Sequence, residues 1–304
     1  MGWDMKIYSL SLSLLAGACA LAMPAVSQAY NIGYYNMCSS TAPNAAHAAA
    51  ITAAGHTPIL VATPDASSLT GLSALSVTNC DNVIYSSGWT SNLAAITAEV
   101  NRGMVLIMHD RAVTGAGSVL PGGAGLNTIR DLDNGAADID FPNGSPITRG
   151  PGGSLLDTSL DNGSKSSHGY ITGASIPAGG SILASRPIVG NGFTSCADQG
   201  YTGTKLNWCR QICEIEQRPG MLDTWIHRWL GRYHTDPPCG GTTPASQMEG
   251  ATIWYPLSRG MVIYSTIPLD YYLGGGGENP PRDIFNTVYM PNLLSWAIVR
   301  QEEQ

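Results

Sequence analysis

Predicted strands and helices alternate along the first third of this chain, and this alternation constrains the fold more than any other feature of the sequence. In chain order, the apolar and β-branched runs predict strands at residues 30–36, 57–61, 82–86 and 104–109, and helices between them at 45–54, 72–75 and 93–102. Consecutive parallel strands need a crossover, and a helix is the usual one. The predicted fold class is therefore α/β, with a parallel sheet covered by helices on both faces.

The middle of the chain has a different character. Residues from about 114 to about 220 are rich in Gly, Ser, Pro and Asp, with short apolar runs at 169–171 and 181–184. Since Gly and Pro interrupt helices, this stretch predicts a partly β insertion of loops and short antiparallel strands. Beyond it the sequence predicts a helix at 222–233, a strand at 261–267 and a closing helix at 284–299. We expect residues 30–304 to form one domain that carries this insertion.

The N-terminus has the order of properties of a secretory leader. Lys6 precedes an apolar run over residues 7–23, Pro24 follows, and small residues lead up to Ala29. This pattern predicts a signal peptide over residues 1–29. The mature protein is then expected to be secreted or periplasmic, with no stable membrane span after cleavage.

The cysteines agree with an oxidising compartment. After the leader the chain has an even set: Cys38, Cys80, Cys196, Cys209, Cys213 and Cys239. Such a set in an exported chain predicts disulfides. We favour a pairing of Cys38 with Cys80, because both flank predicted strands of the same half. A zinc set of Cys209, Cys213, His227 and His234 is the alternative, but its histidines stand further apart than zinc motifs place them.

The charge of the chain argues against two classes of partner. Charged residues make up 12% of the sequence and the net charge is −7. A nucleic-acid or anionic-membrane surface needs clustered basic residues, and the sequence has no such cluster. Nucleic acid is therefore not an expected partner.

Three features of the sequence resemble one superfamily. Gly103 begins an apolar strand that ends in His109, a similar strand begins at Gly260, and the last helix contains Trp296 followed by an alanine. Together they resemble the class I glutamine-amidotransferase-like superfamily, and within it the ThuA-like branch, over residues 30–109 and 251–299. The resemblance implies a flavodoxin-like parallel sheet with its ligand site at the carboxyl ends of the strands. Amidotransferases use a cysteine near the position of His109, so glutamine hydrolysis is not expected.

Two groups of residues are candidates for chemistry. His109, Asp110 and Arg111 end a predicted strand, where His109 and Asp110 could catalyse proton transfer and Arg111 could bind a ligand. The alternative is a structural hydrogen-bond cluster that caps the following loop. His168 is a further catalytic candidate, since His168-Gly169 with Cys196 resembles the arrangement in caspase-like peptidases, although a disulfide is the stronger expectation for Cys196.

A run of aspartates is the candidate metal site. Oxygen ligands at alternate positions around Gly135 are similar to part of a calcium loop, and the residues concerned are Asp131, Asp133, Asp138 and Asp140. Calcium is thus the cofactor that the sequence suggests. A solvated turn is the alternative, because the spacing departs from that of an EF-hand.

Two classes of function follow from these patterns. The C-terminal half is rich in Trp and Tyr, and such rings suit stacking on sugars. The first class is a ligand-binding or interaction protein on an amidotransferase-like scaffold, with small molecules or glycans as ligands and saccharides favoured. The second is a secreted hydrolase that acts on saccharides or related polymers with His109 as acid and base. A scaffold of this kind hosts many chemistries, so the site must decide between them.

Overall fold

The computed structural model describes residues 28–37, 42–132, 138–142, 144–162, 166–186, 249–277 and 281–303. Several sequence predictions lie outside these residues. They concern the leader up to residue 27, the helix at 222–233, the zinc alternative, Asp133, and all of the cysteines beyond the leader except Cys80.

Eleven strands occur in the described residues. In chain order they are β1 (Asn31–Asn36), β2 (Thr57–Leu60), β3 (Ala74–Asn79), β4 (Val105–Asp110), β5 (Thr128–Arg130), β6 (Arg149–Gly150), β7 (Gly153–Ser154), β8 (Gly169–Thr172), β9 (Ser181–Arg186), β10 (Glu249–Leu257) and β11 (Gly260–Ser265). Nine of them form one sheet in the order β2-β1-β3-β4-β11-β10-β8-β5, with β9 also paired to β10.

The sheet has a parallel half and an antiparallel half. Strands β2, β1, β3, β4 and β11 are parallel, and the α/β class is confirmed. Every residue of β3 and of β4 is buried, as expected for parallel strands covered on both faces. These five strands are paired in the order β2-β1-β3-β4-β11, and the flavodoxin-like order stays a prediction, because the place beside β4 is held by the last strand of the chain's described part. Beyond them β10 is antiparallel to β11, β8 and β9, so the sheet is mixed rather than wholly parallel.

The mixed character arises from β10, which follows the predicted insertion, and from the strands of the insertion itself. Its strands β5, β8 and β9 lie in the part of the chain that the sequence assigned to loops and short antiparallel strands, and they extend the sheet through β10. Strand β10 itself was not predicted. A tight turn at Ser258, whose φ is 55°, joins it to β11.

Helices cover both faces. They are α1 (Ala42–Ala53), α2 (Ala66–Leu69), α3 (Ser87–Ser91), α4 (Leu93–Arg102), α5 (Leu269–Leu273), α6 (Pro281–Ile284), a π-helix (Phe285–Tyr289) and α7 (Met290–Glu302). Residues of α1, α5, the π-helix and α7 pack on one face, called here the first face. Residues of α2, α3 and α4 pack on the second face. In the described ranges, none of the helices has the length and apolar character needed to cross a bilayer.

Two sequence assignments are wrong in this region. The predicted helix at 72–75 overlaps β3, and the helix of that crossover is α2, which Asp65 caps by accepting from the backbone N–H of Ser68 at 2.9 Å. The predicted strand at 82–86 is a loop, because Asp81 Oδ1 accepts from the backbone N–H groups of Val83 and Ile84 and turns the chain.

Strand β2 lies at the end of the sheet and contains a proline. The N–H groups of Thr57 and Val61 donate to the carbonyls of Tyr30 and Tyr34 on the β1 side. Since backbone groups alternate in direction along a strand, Pro58 is directed toward the outer edge. Proline has no N–H, so it leaves no donor at that position.

Candidate functional site

The three consecutive residues at the end of β4 lie in three different environments. His109 faces the first face, Asp110 faces the second, and Arg111 continues past the sheet at its carboxyl edge. The alternation of side chains along a strand is the reason. The three residues predicted as one group therefore have to be considered separately.

His109 belongs to a row of polar side chains that crosses the sheet inside the protein. The register places Thr78, His109, Ser265 and Thr252 side by side on four neighbouring strands. All four are buried, and they are called here the buried row. The ring nitrogen Nε2 of His109 lies 3.3 Å from the hydroxyl of Tyr289, which the π-helix supplies. Burial lowers the pKa of His109 to about 3, and the nearby His47 contributes in the same direction.

A second buried histidine lies beside this row. His47 projects from α1, and its Nε2 is 2.7 Å from the hydroxyl oxygen of Ser76 on β3. Burial lowers the pKa of His47 to about 4. Both imidazoles are therefore neutral near pH 7, and the Nδ1 atom of each lacks a hydrogen-bond partner in the described part of the chain. A general acid or base must reach the bond it acts on, and His109 is only 1% exposed.

Asp110 is a fully buried carboxylate with a full set of donors. Its two oxygens accept at 2.6–3.0 Å from Asn79, Tyr85, Tyr264 and the backbone N–H groups of Ala112 and Val113. A carboxylate has about four lone-pair sites, so these bonds use its acceptor capacity. The bonds to Ala112 and Val113 fix the loop after β4, where Val113 has a φ of 62°. This geometry favours the structural alternative for Asp110.

Arg111 reaches the surface between two residues of α5. Its Nε lies 3.5 Å from Oδ1 of Asp270, and its side chain is 21% exposed. Its guanidinium carbon lies 5.7 Å from the centre of the Tyr271 ring, a distance at which a cation is attracted to the ring face. No local pattern in the sequence points to Asp270, because the contact joins residues far apart in the chain.

The ion pair between Arg111 and Asp270 is poorly formed. Neither Nε of Arg111 nor Oδ1 of Asp270 has a hydrogen-bond partner in the described residues, although both atoms are buried. Burial raises the pKa of Asp270 to about 6, and the charge of Arg111 and the backbone N–H groups of Asp270 and Tyr271 offset only part of that rise. Asp270 thus has fewer donors than Asp110.

His168 approaches Arg111 through the backbone. Its Nδ1 lies 3.3 Å from the carbonyl oxygen of Arg111, and its own N–H donates to the carbonyl of Thr266 at 2.8 Å. Arg130 donates to the same carbonyl of Arg111. Ser167, next to His168, is fully buried. Cys196, the proposed partner of His168 in a peptidase, lies outside the described residues.

Exposed apolar side chains lie on segments that adjoin Arg111. Arg111 Nη1 lies 3.5 Å from the carbonyl of Cys80, at the start of the loop that exposes Val83 and Ile84. On the other side, Tyr271 is 43% exposed. We call Arg111, Asp270, Tyr271 and His168 the edge site. It combines a cation, a carboxylate, an imidazole and an aromatic ring.

The aspartates proposed for calcium lie in two places. Asp131 pairs with Arg186 at 3.3 Å. Asp138 and Asp140 lie near Asp157 and Asp161, and burial together with these carboxylates raises the pKa of Asp140 well above its ordinary value. Within the described ranges, no three His, Cys, Asp or Glu side chains are arranged to hold a metal ion. The calcium loop therefore stays a prediction.

Comparison of the chain with protein-family models and with curated proteins finds no match. The resemblance to the amidotransferase-like superfamily consequently stays a prediction from the sequence, and the edge site is the feature from which a function can be inferred.

Proposed function

We propose that this protein is an exported binding module that holds a saccharide or a similar polyhydroxylated ligand at the edge site. One observation carries the proposal. The partly exposed guanidinium of Arg111 lies between the carboxylate of Asp270 and the exposed ring of Tyr271, at the carboxyl edge of a parallel sheet. Ligands of open α/β sheets bind outside this edge.

The chemistry of these groups suits a ligand with several hydroxyls. A guanidinium donates through a planar fork, and an aromatic ring stacks on the apolar face of a sugar. Arg111 and Tyr271 are partly exposed, so a ligand hydroxyl can accept from the guanidinium while the sugar ring stacks on the tyrosine. Asp270 is buried beside Arg111, and its carboxylate disfavours an anion at this place.

Binding is favoured over hydrolysis by what surrounds His109 and Asp110. Glycosidases place two carboxyl groups on either side of the bond they cleave. Asp270 is only 7% exposed, and Asp110 is fully buried and already accepts five hydrogen bonds. His109 is enclosed in the buried row. The hydrolase alternative therefore lacks a pair of groups that could reach a substrate.

Export is part of the proposal, and with it a disulfide between Cys38 and Cys80. The parallel register pairs Asn36 with Thr78, and in the sequence each cysteine follows its strand residue by two positions. Neighbouring strands lie about 5 Å apart, within the range of Cα separations that disulfides use, so the described ends of β1 and β3 are compatible with this pairing. Intact-mass measurement with and without reductant is the test. We expect Ala29 to be the last residue removed and no thiol to react before reduction; a retained leader or several alkylated cysteines would contradict export.

The ligand site is tested by calorimetric titration with a panel of neutral mono- and oligosaccharides. We expect binding that Arg111→Ala and Tyr271→Ala each weaken by at least about tenfold, since each removes a direct contact. Arg102→Ala is the matched control, because Arg102 is exposed on α4 and pairs there with Glu99. The proposal fails if no saccharide binds, or if binding survives both substitutions at the edge site.

A further inference from the structure

The chain turns sharply after α5 through four consecutive glycines, residues 274–277. The backbone N–H of Gly276 donates to the carbonyl of Tyr271 at 2.8 Å, and the N–H of Gly275 donates to that of Tyr272 at 3.0 Å. Gly275 has a φ of 85°. These two bonds around a left-handed residue form the Schellman motif that ends many helices. The motif brings Gly276 back beside Tyr271, the third residue from the end of α5.

The ring of Tyr271 lies flat on the backbone of Gly276. A Cβ atom added to Gly276 would come within 2.5, 2.3 and 2.6 Å of three successive atoms of that ring, Cδ2, Cε2 and Cζ. Such nearly equal distances place the added atom over the face of the ring and not at its rim. Non-bonded carbon atoms are in optimal contact at about 3.5–4.0 Å. A side chain at position 276 and the present position of the ring therefore exclude each other.

Glycine at position 276 is explained by the ring and not by the backbone. The positive φ of Gly275 favours glycine, whereas the φ of Gly276 lies outside the left-handed range, so its backbone accepts other residues. In a Schellman motif the residue at this place frequently carries an apolar side chain that packs on the helix. Without that side chain, the ring packs on the turn itself.

The ring is held at its base and open at its outer side. Helix α5 is fixed in the core, where Leu269 and Tyr272 are fully buried and the ring of Tyr272 stacks on that of Phe285 at 3.9 Å. Tyr271 meets the ring of Tyr272 edge to face, yet Tyr271 is 43% exposed. The guanidinium carbon of Arg111 lies 5.7 Å from its centre.

We propose that Gly276 is a positioning residue of the edge site, because its lack of a side chain lets the Tyr271 ring lie on the turn with one face covered and the remainder presented to a ligand. The role in binding rests on the proposed function, whereas the placement of the ring does not. A ring with one covered face offers a single surface on which one sugar can stack. A ring that is already oriented also loses little freedom when a ligand binds.

Nuclear magnetic resonance on the full mature protein tests the ring placement without a ligand. The α-proton of Gly276 that a Cβ would replace points at the ring face, where the ring current shifts it upfield. Tyr271→Leu should abolish this upfield shift. Gly276→Ala should in turn move the ring resonances of Tyr271.

The matched control lies in the same turn. Gly274 has a φ of −75°, and a Cβ there would meet the carbonyl oxygens of Asp270 and Tyr271 at 3.1 and 3.5 Å. Gly274→Ala therefore adds the same methyl group without pushing on the ring. We expect it to leave the ring resonances of Tyr271 in place.

Calorimetric titration with a saccharide that the wild type binds tests the role in the site. Gly276→Ala should weaken binding by about tenfold, as Tyr271→Ala does, because both remove the ring from its place. In the Tyr271→Ala background the same substitution should change binding by less than about twofold, since no ring is left to displace. Gly274→Ala should leave binding unchanged.

Each outcome decides the proposal. An α-proton of Gly276 that does not respond to Tyr271→Leu overturns the ring placement. An equal loss of binding from Gly276→Ala in both backgrounds, or no loss in the wild type, overturns the positioning role. If Gly276→Ala does not fold, the comparison of wild type with Tyr271→Leu still decides the placement. If no saccharide binds, the proposed function fails, and the spectra still decide whether Gly276 positions the ring.

Discussion

The loop after β4 and helix α5 each bury a carboxylate, and they do so in opposite ways. Asp110 in the loop accepts five hydrogen bonds, two of them from the backbone that it holds in place. Asp270 in α5 has Arg111 at 3.5 Å without an aligned hydrogen bond, and its Oδ1 atom has no donor in the described residues. A buried charge with a full set of donors stabilises its surroundings, whereas one with fewer donors destabilises the fold that buries it. The same chemical group therefore stabilises one segment and destabilises its neighbour.

The largest effect on stability is expected from replacing Asp110, the carboxylate with the full set of donors. Asp110→Asn keeps the shape but replaces an acceptor by an amide that must donate where only donors are present. We expect the free energy of unfolding to fall by about 4 kcal/mol, because several buried donors lose their partner. Urea unfolding at pH 7 measures it. A loss below about 1 kcal/mol would mean that the loop does not depend on Asp110.

The buried histidines provide the next effect, with the sign opposite to that of Asp270. Their folded pKa values, about 4 for His47 and about 3 for His109, lie below the ordinary 6.5. The contribution of the neutral histidines to folding stability is complete above pH 6.5. It is lost as the pH falls toward their pKa values in the folded protein, because the unfolded chain takes up the protons. Between pH 7 and pH 5 each histidine should lower the free energy of unfolding by about 2 kcal/mol.

Replacing one histidine isolates its contribution to the pH dependence of stability. His109→Leu should make the decline of stability with acid shallower by about 2 kcal/mol, while saccharide binding per folded molecule stays unchanged. Urea unfolding at a series of pH values measures the first, and calorimetry the second. An unchanged dependence of stability on pH would show that His109 is protonated in the folded protein. A loss of saccharide binding would show that His109 belongs to the ligand site.

A smaller effect of opposite sign is expected from Asp270 in α5. Asp270→Asn removes the cost of ionising a buried carboxyl whose pKa is about 6. Relative to the wild type, its free energy of unfolding should improve by about 1 kcal/mol on going from pH 5 to pH 7.5. Urea unfolding of the two proteins at both pH values tests this. If the difference shrinks as the pH rises, Asp270 is better compensated than its contacts indicate.

The smallest effect concerns the aspartates around Asp140. Because burial and neighbouring carboxylates raise the pKa of Asp140, its ionised form destabilises the folded protein. Asp140→Asn should therefore raise the melting temperature at pH 7.5, and the gain should vanish in acid. Calcium at a few millimolar is the second arm: the predicted weak site requires a rise of about 3 °C in the wild type that Asp140→Asn abolishes. No rise would remove calcium as a cofactor.

The sequence predicted the strands whose signals are local and continuous. The apolar run before Asp110 gave β4, and Gly103, with a φ of 126°, ends α4 where expected. Strand β3 was missed because Ser76 and Thr78 interrupt its apolar pattern, and both belong to a polar layer that only the assembled sheet buries. Strand β10 was missed as well, and with it the antiparallel half.

The sequence predicted where the candidate site lies but not which residues form it. The end of β4 could be placed at the carboxyl edge, since parallel strands direct their ends there. That His109 and Asp110 face into the protein while Arg111 faces out depends on what packs on each face. Asp270 and Tyr271 lie far along the chain from Arg111, so no local pattern could join them.

The proline in β2 has a consequence for many copies of the protein together. An end strand is a template on which another chain can add its own backbone, and repeated addition leads to fibres. At Pro58 an added strand would find no N–H donor. Leu60, two residues further along β2, is nevertheless 57% exposed. The protein can therefore be concentrated with an exposed apolar residue on its edge strand and still resist intermolecular strand addition.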